Sequence, residues 1–266
     1  MKVLIIGAGN MGKTYARSFL SSRFIDAGDL YILERSGGSV EAIKDIPQGN
    51  IHPQAGEFVS QADIILLAVK PQDFPALGKH IAAYILQGQV ILSIMAGIKI
   101  AAIYEAIGAT KIVRAMPNLP AQIGMGMTVF TSSADIDKKE LFIMQNLINT
   151  TGKSVYVEDE GKIDAATAIS GSGPAYVYYF MEAMIQAGVK MGFTLSQAEL
   201  LVNQTFMGAV HLHNQSDLTC NEWISRVASK GGTTEAALKI MREHTLDSNI
   251  EEALFAAFNR ARELGS

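Results

Sequence analysis

Residues 226–238 read Arg226-Val227-Ala228-Ser229-Lys230-Gly231-Gly232-Thr233-Thr234-Glu235-Ala236-Ala237-Leu238. Two glycines run into two threonines, and a helix-forming stretch follows at once. The pattern predicts bare backbone N–H groups and two hydroxyls at the mouth of a helix, where a small anion can be held. An ordinary helix start needs one Ser or Thr as its cap. The surplus marks Ser229, Gly231, Gly232, Thr233 and Thr234 as candidates for holding a substrate carboxylate. A second helix mouth, Ile169-Ser170-Gly171-Ser172-Gly173-Pro174, has Pro174 in the first turn and Ser172 suited to the cap. Ser172 is a candidate substrate contact in a turn expected to lie between two domains.

The chain opens on a different chemistry. Gly7-Ala8-Gly9-Asn10-Met11-Gly12 follows an apolar run and precedes an amphipathic stretch, which is the context a dinucleotide-binding turn requires. Gly7 permits the tight turn, Gly9 lets a pyrophosphate approach the backbone, and Gly12 lets helix and strand pack closely. Asn10 and Met11 would add contacts at the helix start. Specificity is read at the end of the second strand, and there the signals conflict. Glu34 suits a ribose 2′-hydroxyl and NAD, whereas Arg35 and Ser36 suit a 2′-phosphate and NADP. Further cofactor contacts are expected from the carboxyl ends of other strands, at Ala68, Val69, Lys70 and Pro71, at Ala96 and Gly97, and at the Asn118 amide. One small-anion site and one dinucleotide site together suggest a reductase of a small acidic metabolite.

These groups need a scaffold. Short apolar runs at 3–6, 30–33, 64–69, 90–95, 111–116 and 127–131 read as strands, and the continuous run at 3–6 marks a parallel strand buried on both faces. Helical patterns at 11–21, 58–62, 75–85, 100–107 and 138–149 lie between them. This alternation predicts an α/β fold with an N-terminal Rossmann-like doubly wound sheet. After a strand-like 155–157 the texture changes to long helices at 175–191, 196–214, 234–243 and 249–264. The expected division is residues 1–160 for the dinucleotide and residues 161–266 for an all-helical domain that dimerises and binds substrate. The 175–191 stretch is apolar nearly all round, so it must be buried on every side. A helical domain of that size has little room for such a helix inside itself, which predicts a homodimer with interdigitating helices.

Bulk composition narrows the partners. Apolar residues make up 48% of the 266 and charged residues 18%, enough for a sizeable core, and the net charge is −4. No basic cluster points to nucleic acid or an anionic membrane. No apolar run approaches the ~20 residues needed to cross a bilayer. The opening run is too short for a secretion signal, so a cytoplasmic location is expected. A single cysteine, Cys220, excludes a disulfide framework within the chain. The five histidines form no metal-binding pattern; His211 and His213 face different sides of a helix. No metal is expected.

With the motifs at 7–12, 68–71, 116–120, 170–175 and 229–234 in this order, the chain resembles the pyrroline-5-carboxylate reductases over nearly its whole length. The most specific pieces are Ile169-Ser170-Gly171-Ser172-Gly173-Pro174-Ala175-Tyr176 and the closing Gly231-Gly232-Thr233-Thr234. The resemblance implies a Rossmann domain, a helical dimerisation domain often assembled into rings of dimers, and NADPH- or NADH-dependent reduction of L-1-pyrroline-5-carboxylate to L-proline. It implies that the Thr234 hydroxyl faces the ring nitrogen as the catalytic group, while Ser229 and the 231–233 backbone hold the carboxylate. Lys230 replaces the family's usual proline, Leu119 its usual threonine, and many members carry an uncharged or basic residue where Glu34 stands. Two rival readings differ in class: another two-domain oxidoreductase of imines or β-hydroxyacids, and a nucleotide-binding homologue without catalysis.

Overall fold

A computed structural model describes residues 1–35 and 46–265. They divide into two compact units, Met1–Pro174 together with the chain from Ala257 onward, and Ala175–Ala256.

In the first unit the continuous apolar runs become strands because only an interior position can cover both of their faces. β1 (Val3–Ile6), β4 (Ile64–Leu67) and β5 (Val90–Ser93) are buried at every residue. With β2 (Leu30–Leu33), β3 (Ile51–His52), β6 (Ile112–Met116), β7 (Gly126–Ser132) and β8 (Gly152–Tyr156) they form an eight-stranded sheet in the order β3-β2-β1-β4-β5-β6-β7-β8. Neighbouring strands are parallel except β6 and β7, which are antiparallel. The connection after β6 is too short for a parallel crossover, which takes a dozen residues or more.

Alternate residues of each strand feed cores on opposite faces of the sheet. On one face Val3, Ile5, Ile32, Leu66 and Leu92 pack against Tyr15 and Phe19 of α1 (Asn10–Ser21) and Met144 and Leu147 of α4 (Lys138–Asn149). On the other, Leu4, Ile6, Ile65 and Ile91 pack against Phe74 and Ile81 of α2 (Phe74–Ile81) and Ile103 of α3 (Ile100–Ile107). The expected helix at 58–62 is a 3-10 segment, Glu57–Gln61, the two-residue β3 lies outside the strands read from sequence, and β8 starts three residues before the strand-like 155–157.

Helical backbone starts earlier than the sequence pattern indicates. α5 (Gly161–Ala166) runs into a π-helical turn, Thr167–Gly171, and then α6 (Gly173–Lys190). Ser172 is therefore no cap. Its backbone is α-helical, and its N–H donates to Thr167 O at 2.8 Å. The wide turn inserts one residue into a continuing helix, so no free mouth is left there.

In the second unit, α7 (Leu195–Asn214) and α8 (Cys220–Val227) both start in capping boxes, Thr194 with Gln197 and Thr219 with Glu222. α8 has no counterpart in the sequence reading. α9 (Thr233–Glu243) and α10 (Leu246–Leu264) follow. A small cluster of Ile185, Ala198 and Val202, with Met181 and Phe206, joins α6 to α7. Much else that is apolar stays exposed, including Tyr178, Tyr179, Leu200, Leu201, Met207 and Val210.

Candidate functional site

The first region of interest forms where β1 sits between β2 and β4, because the chain departs in opposite directions on its two sides and leaves a crevice at the carboxyl edge. Gly7 follows β1 with φ +99°, and a Cβ there would lie 2.9 Å from the Ala68 carbonyl. A Cβ on Gly12 would lie 2.0 Å from Gly7 O, so helix α1 reaches the strand only because residue 12 lacks a side chain. Gly9 is the opposite case. It is the extended N-cap of α1, and a Cβ there would meet nothing within 4 Å. Two glycines thus close the turn, and the third opens onto space beside the first-turn amides of α1, which have no partner inside the helix. That arrangement fits a pyrophosphate.

Glu34 follows β2 on the neighbouring edge. Its carboxylate reaches across and accepts the Ala8 N–H at 2.6 Å. Arg35 is exposed, and Ser36 lies outside the described residues. Ala68, Val69, Lys70 and Pro71 follow β4. The Ala68 N–H donates to Ile6 O, and the Val69 side chain lies beside Gly7. The expected close approach at Gly97 is made by the chain itself: Leu264 O would stand 2.7 Å from a Cβ on Gly97, whose φ is +77°. Ala96 is half-buried beside it. The Asn118 amide is engaged at both ends, with Oδ1 accepting from Met127 N at 2.8 Å and Nδ2 donating to Ser170 O at 3.1 Å. Asn118 thus ties the end of β6 to the start of β7 and to the π-helical turn.

Arg114 is the group that sequence reading missed. It is 1% exposed, on β6, and its guanidinium pairs with Glu160 at 3.0 Å and Asp164 at 2.9 Å. The same Glu160 oxygen accepts the Ile100 N–H at 2.8 Å, capping α3 from a distant part of the sequence. A lone arginine inside Ile112-Val113-Arg114-Ala115-Met116 was the available signal, since a cation in an apolar strand must find anions. The triad is structural and lies on the side of the sheet that supports the β5–α3 turn.

The second region is the start of α9. Thr233 and Thr234 are its first two residues, and Gly232 is an extended N-cap with no side-chain partner. The expectation of bare amides at Gly231 and Gly232 is not met. Gly231 N–H donates to the Glu235 carboxylate at 2.6 Å, and Gly232 N–H donates to Ser229 O at 2.9 Å. The reason is local geometry. Gly231 turns with φ +74°, which folds residues 229–232 back on themselves, and a Cβ on Gly232 would strike Ser229 Oγ at 2.6 Å. The amides of Thr233, Thr234 and Glu235 are the ones that a helix start leaves without internal partners. Thr234 is half-buried, and Lys230 is exposed. A cavity of about 460 Å³ runs along this face of α9, lined by Gly231, Gly232, Glu235, Ala236, Lys239 and Arg242 among others.

Among the described residues no group of three or more His, Cys, Asp or Glu could hold a metal ion, and no helix is long and apolar enough to cross a membrane.

The chain is also similar to known families and proteins. Residues 160–264 match the family model for pyrroline-5-carboxylate reductase dimerisation, and residues 2–97 match the model for NADP oxidoreductase, coenzyme F420-dependent. The pyrroline-5-carboxylate reductase of Staphylococcus saprophyticus is 32% identical over 100% of this chain and 98% of that protein. The one from Pseudomonas aeruginosa is 34% identical over 99% and 96%. Among solved structures, Plasmodium falciparum pyrroline carboxylate reductase with NADP bound superposes with a TM-score of 0.88 at 28% identity, covering 100% of this chain and 98% of the other. An Aspergillus terreus reductive aminase, at 16% identity and a TM-score of 0.58, shares the fold alone.

Proposed function

We propose, for a chain that belongs to the pyrroline-5-carboxylate reductase family, that it reduces L-1-pyrroline-5-carboxylate to L-proline with NADPH or NADH. The single observation that carries the reading in the structure is the glycine turn. Gly7 and Gly12 are closed off by their surroundings while Gly9 faces open space at a helix start. Gly9, Asn10 and Met11 would hold the dinucleotide pyrophosphate, with Ala68 and Val69 bordering it. When bound, the reduced dinucleotide supplies the hydride.

The remaining chemistry falls to the substrate and to the start of α9. A cyclic imine is a weak electrophile until its nitrogen is protonated. Because the product amine is strongly basic, no powerful protein acid is needed, and solvent or a hydroxyl can deliver the proton. The free first-turn amides and the positive end of the helix dipole favour the substrate carboxylate by about 0.3–1 kcal/mol at an exposed site. Thr234, the second residue of the helix, then hydrogen-bonds the ring nitrogen through its hydroxyl, and Ser229 Oγ stands over Gly232 at the same turn. Ser172, inside the helical run, is the weaker substrate candidate. The protein works mainly by orientation, which is worth up to roughly 7–11 kcal/mol for ideal alignment.

The reading includes self-association. Tyr179 is 76% exposed and Leu200 70% on the faces of α6 and α7, an apolar surface that a lone soluble protein rarely leaves open. A homodimer burying these helices, with rings of dimers beyond it, accounts for that surface. A cytoplasmic location completes the picture and accords with the single free thiol of Cys220. The deciding experiment is oxidation of NADPH and NADH by the purified protein in the presence of the five-membered imine, with proline identified as product. Cofactor consumption without proline, or no consumption with either cofactor, would refute the assignment.

A further inference from the structure

We infer that Glu34, whose carboxylate is fixed on the Ala8 amide of the glycine turn, makes the protein prefer NADH over NADPH. The inference rests on the reading that this turn holds the dinucleotide.

Two bonds to described residues help to fix Glu34. The Glu34 N–H donates to His52 O at 2.9 Å, which pins the backbone at the carboxyl ends of β2 and β3. The side chain crosses towards β1, and Oε2 accepts the Ala8 N–H at 2.6 Å. The carboxylate is therefore half-buried at the lip of the crevice, rather than swept out into solvent. An ionised carboxylate has only acceptor lone pairs. The hydroxyl of an unphosphorylated ribose offers it a proton, and this is the pairing that acids at the end of a second strand make. A 2′-phosphate offers no such proton and brings about −1.5 to −2 charges of the same sign.

Arg35 does not cancel this. It is exposed, and an exposed cation on a flexible stem contributes little against a carboxylate held in place. The sequence alone leaves Glu34 and Arg35 as opposed signals of equal standing. The bond to Ala8 breaks the tie, because it places one of the two charges on the turn itself.

The test measures dissociation constants of NADH and NADPH for the whole protein by fluorescence titration, at one ionic strength and without imine. NADH should bind at least about tenfold more tightly, the scale of one like-charge contact in a partly shielded site. Glu34→Gln keeps an oxygen for the Ala8 N–H but removes the charge, so it should narrow the ratio about fivefold or more, chiefly by tightening NADPH. Arg35→Ala should leave NADH unchanged. If the Gln variant does not fold, added salt should narrow the same gap in the unaltered protein. NADPH binding as tightly as NADH, or a ratio that neither Glu34→Gln nor salt moves, overturns the inference and leaves the glycine-turn reading standing. Failure of both dinucleotides to bind overturns both.

Discussion

The Glu235 carboxylate accepts the Gly231 N–H at 2.6 Å, so the start of α9, where the substrate carboxylate is proposed to bind, already carries an anion from its own helix. A substrate carboxylate arriving at the neighbouring amides meets that charge. Glu235→Gln should therefore lower the KM for the imine about twofold to fivefold, the effect of one charge at an exposed helix end, with kcat nearly unchanged. Steady-state kinetics at fixed cofactor will show it. An increased KM would mean that Glu235 shapes the site for the substrate and does not compete with it.

Thr234 makes a separable prediction. Removing one hydrogen bond to the ring nitrogen costs about 0.5–1.5 kcal/mol, so Thr234→Ala should reduce kcat by about twofold to tenfold. Cofactor affinity should stay within a factor of about two, and Thr234→Ser should restore kcat. Equal loss of cofactor binding and kcat would remove the role given to the hydroxyl.

Gly9 and Gly12 should respond in opposite ways to one methyl group. At Gly12 the new carbon would sit 2.0 Å from Gly7 O, so Gly12→Ala should lower the melting temperature. At Gly9 it meets no protein atom within 4 Å. Gly9→Ala should melt like the parent but bind dinucleotide more weakly, since the methyl occupies the space above the turn. Thermal melts paired with cofactor titrations separate the two. Unaltered cofactor affinity in a well-folded Gly9→Ala would place the pyrophosphate elsewhere.

Arg114 should matter for stability. Truncating it leaves Asp164, 5% exposed, without its cation. Breaking a buried pair from one side costs about 3–5 kcal/mol, so Arg114→Met should unfold at clearly lower denaturant. Adding Asp164→Leu should recover part of the loss. If the single variant is as stable as the parent, the triad does not hold α3 and α5 to the sheet.

His52 predicts a pH effect. Its ring stacks on Phe58 at 3.8 Å between centroids, and Nε2 is buried with no partner among the described residues. Burial pushes its pKa below the ordinary value of 6.5. The unfolded chain thus binds the proton more readily, so stability is full above the unfolded pKa and falls as the pH drops through the folded one. Denaturant unfolding between about pH 7 and 5 should show this decline, and His52→Phe should reduce it. An identical decline in the variant would assign it to other groups.

The glycine positions, the two-sided apolar strands and the long helices of the C-terminal half are all visible in the sequence. Each is set by local sterics or by the period of burial, and both act over a few neighbouring residues. The two-residue β3 and the helical stretch from 161 to 174 are not visible, because short strands and π turns depend on what packs against them. Spacing alone also identifies Gly7, Gly9 and Gly12, but not which of them faces open space.

The sequence by itself determined the order of the main strands and long helices and the residue types at both glycine-rich turns, since backbone freedom and side-chain chemistry belong to single residues. Only the tertiary structure decided where the charges go. Glu34 reaches Ala8 across 26 positions, and Arg114 meets Glu160 and Asp164 across 46 and 50. Such pairings form because buried charges and turn amides must be satisfied by whatever the fold brings within about 3 Å, and no local pattern records that partner.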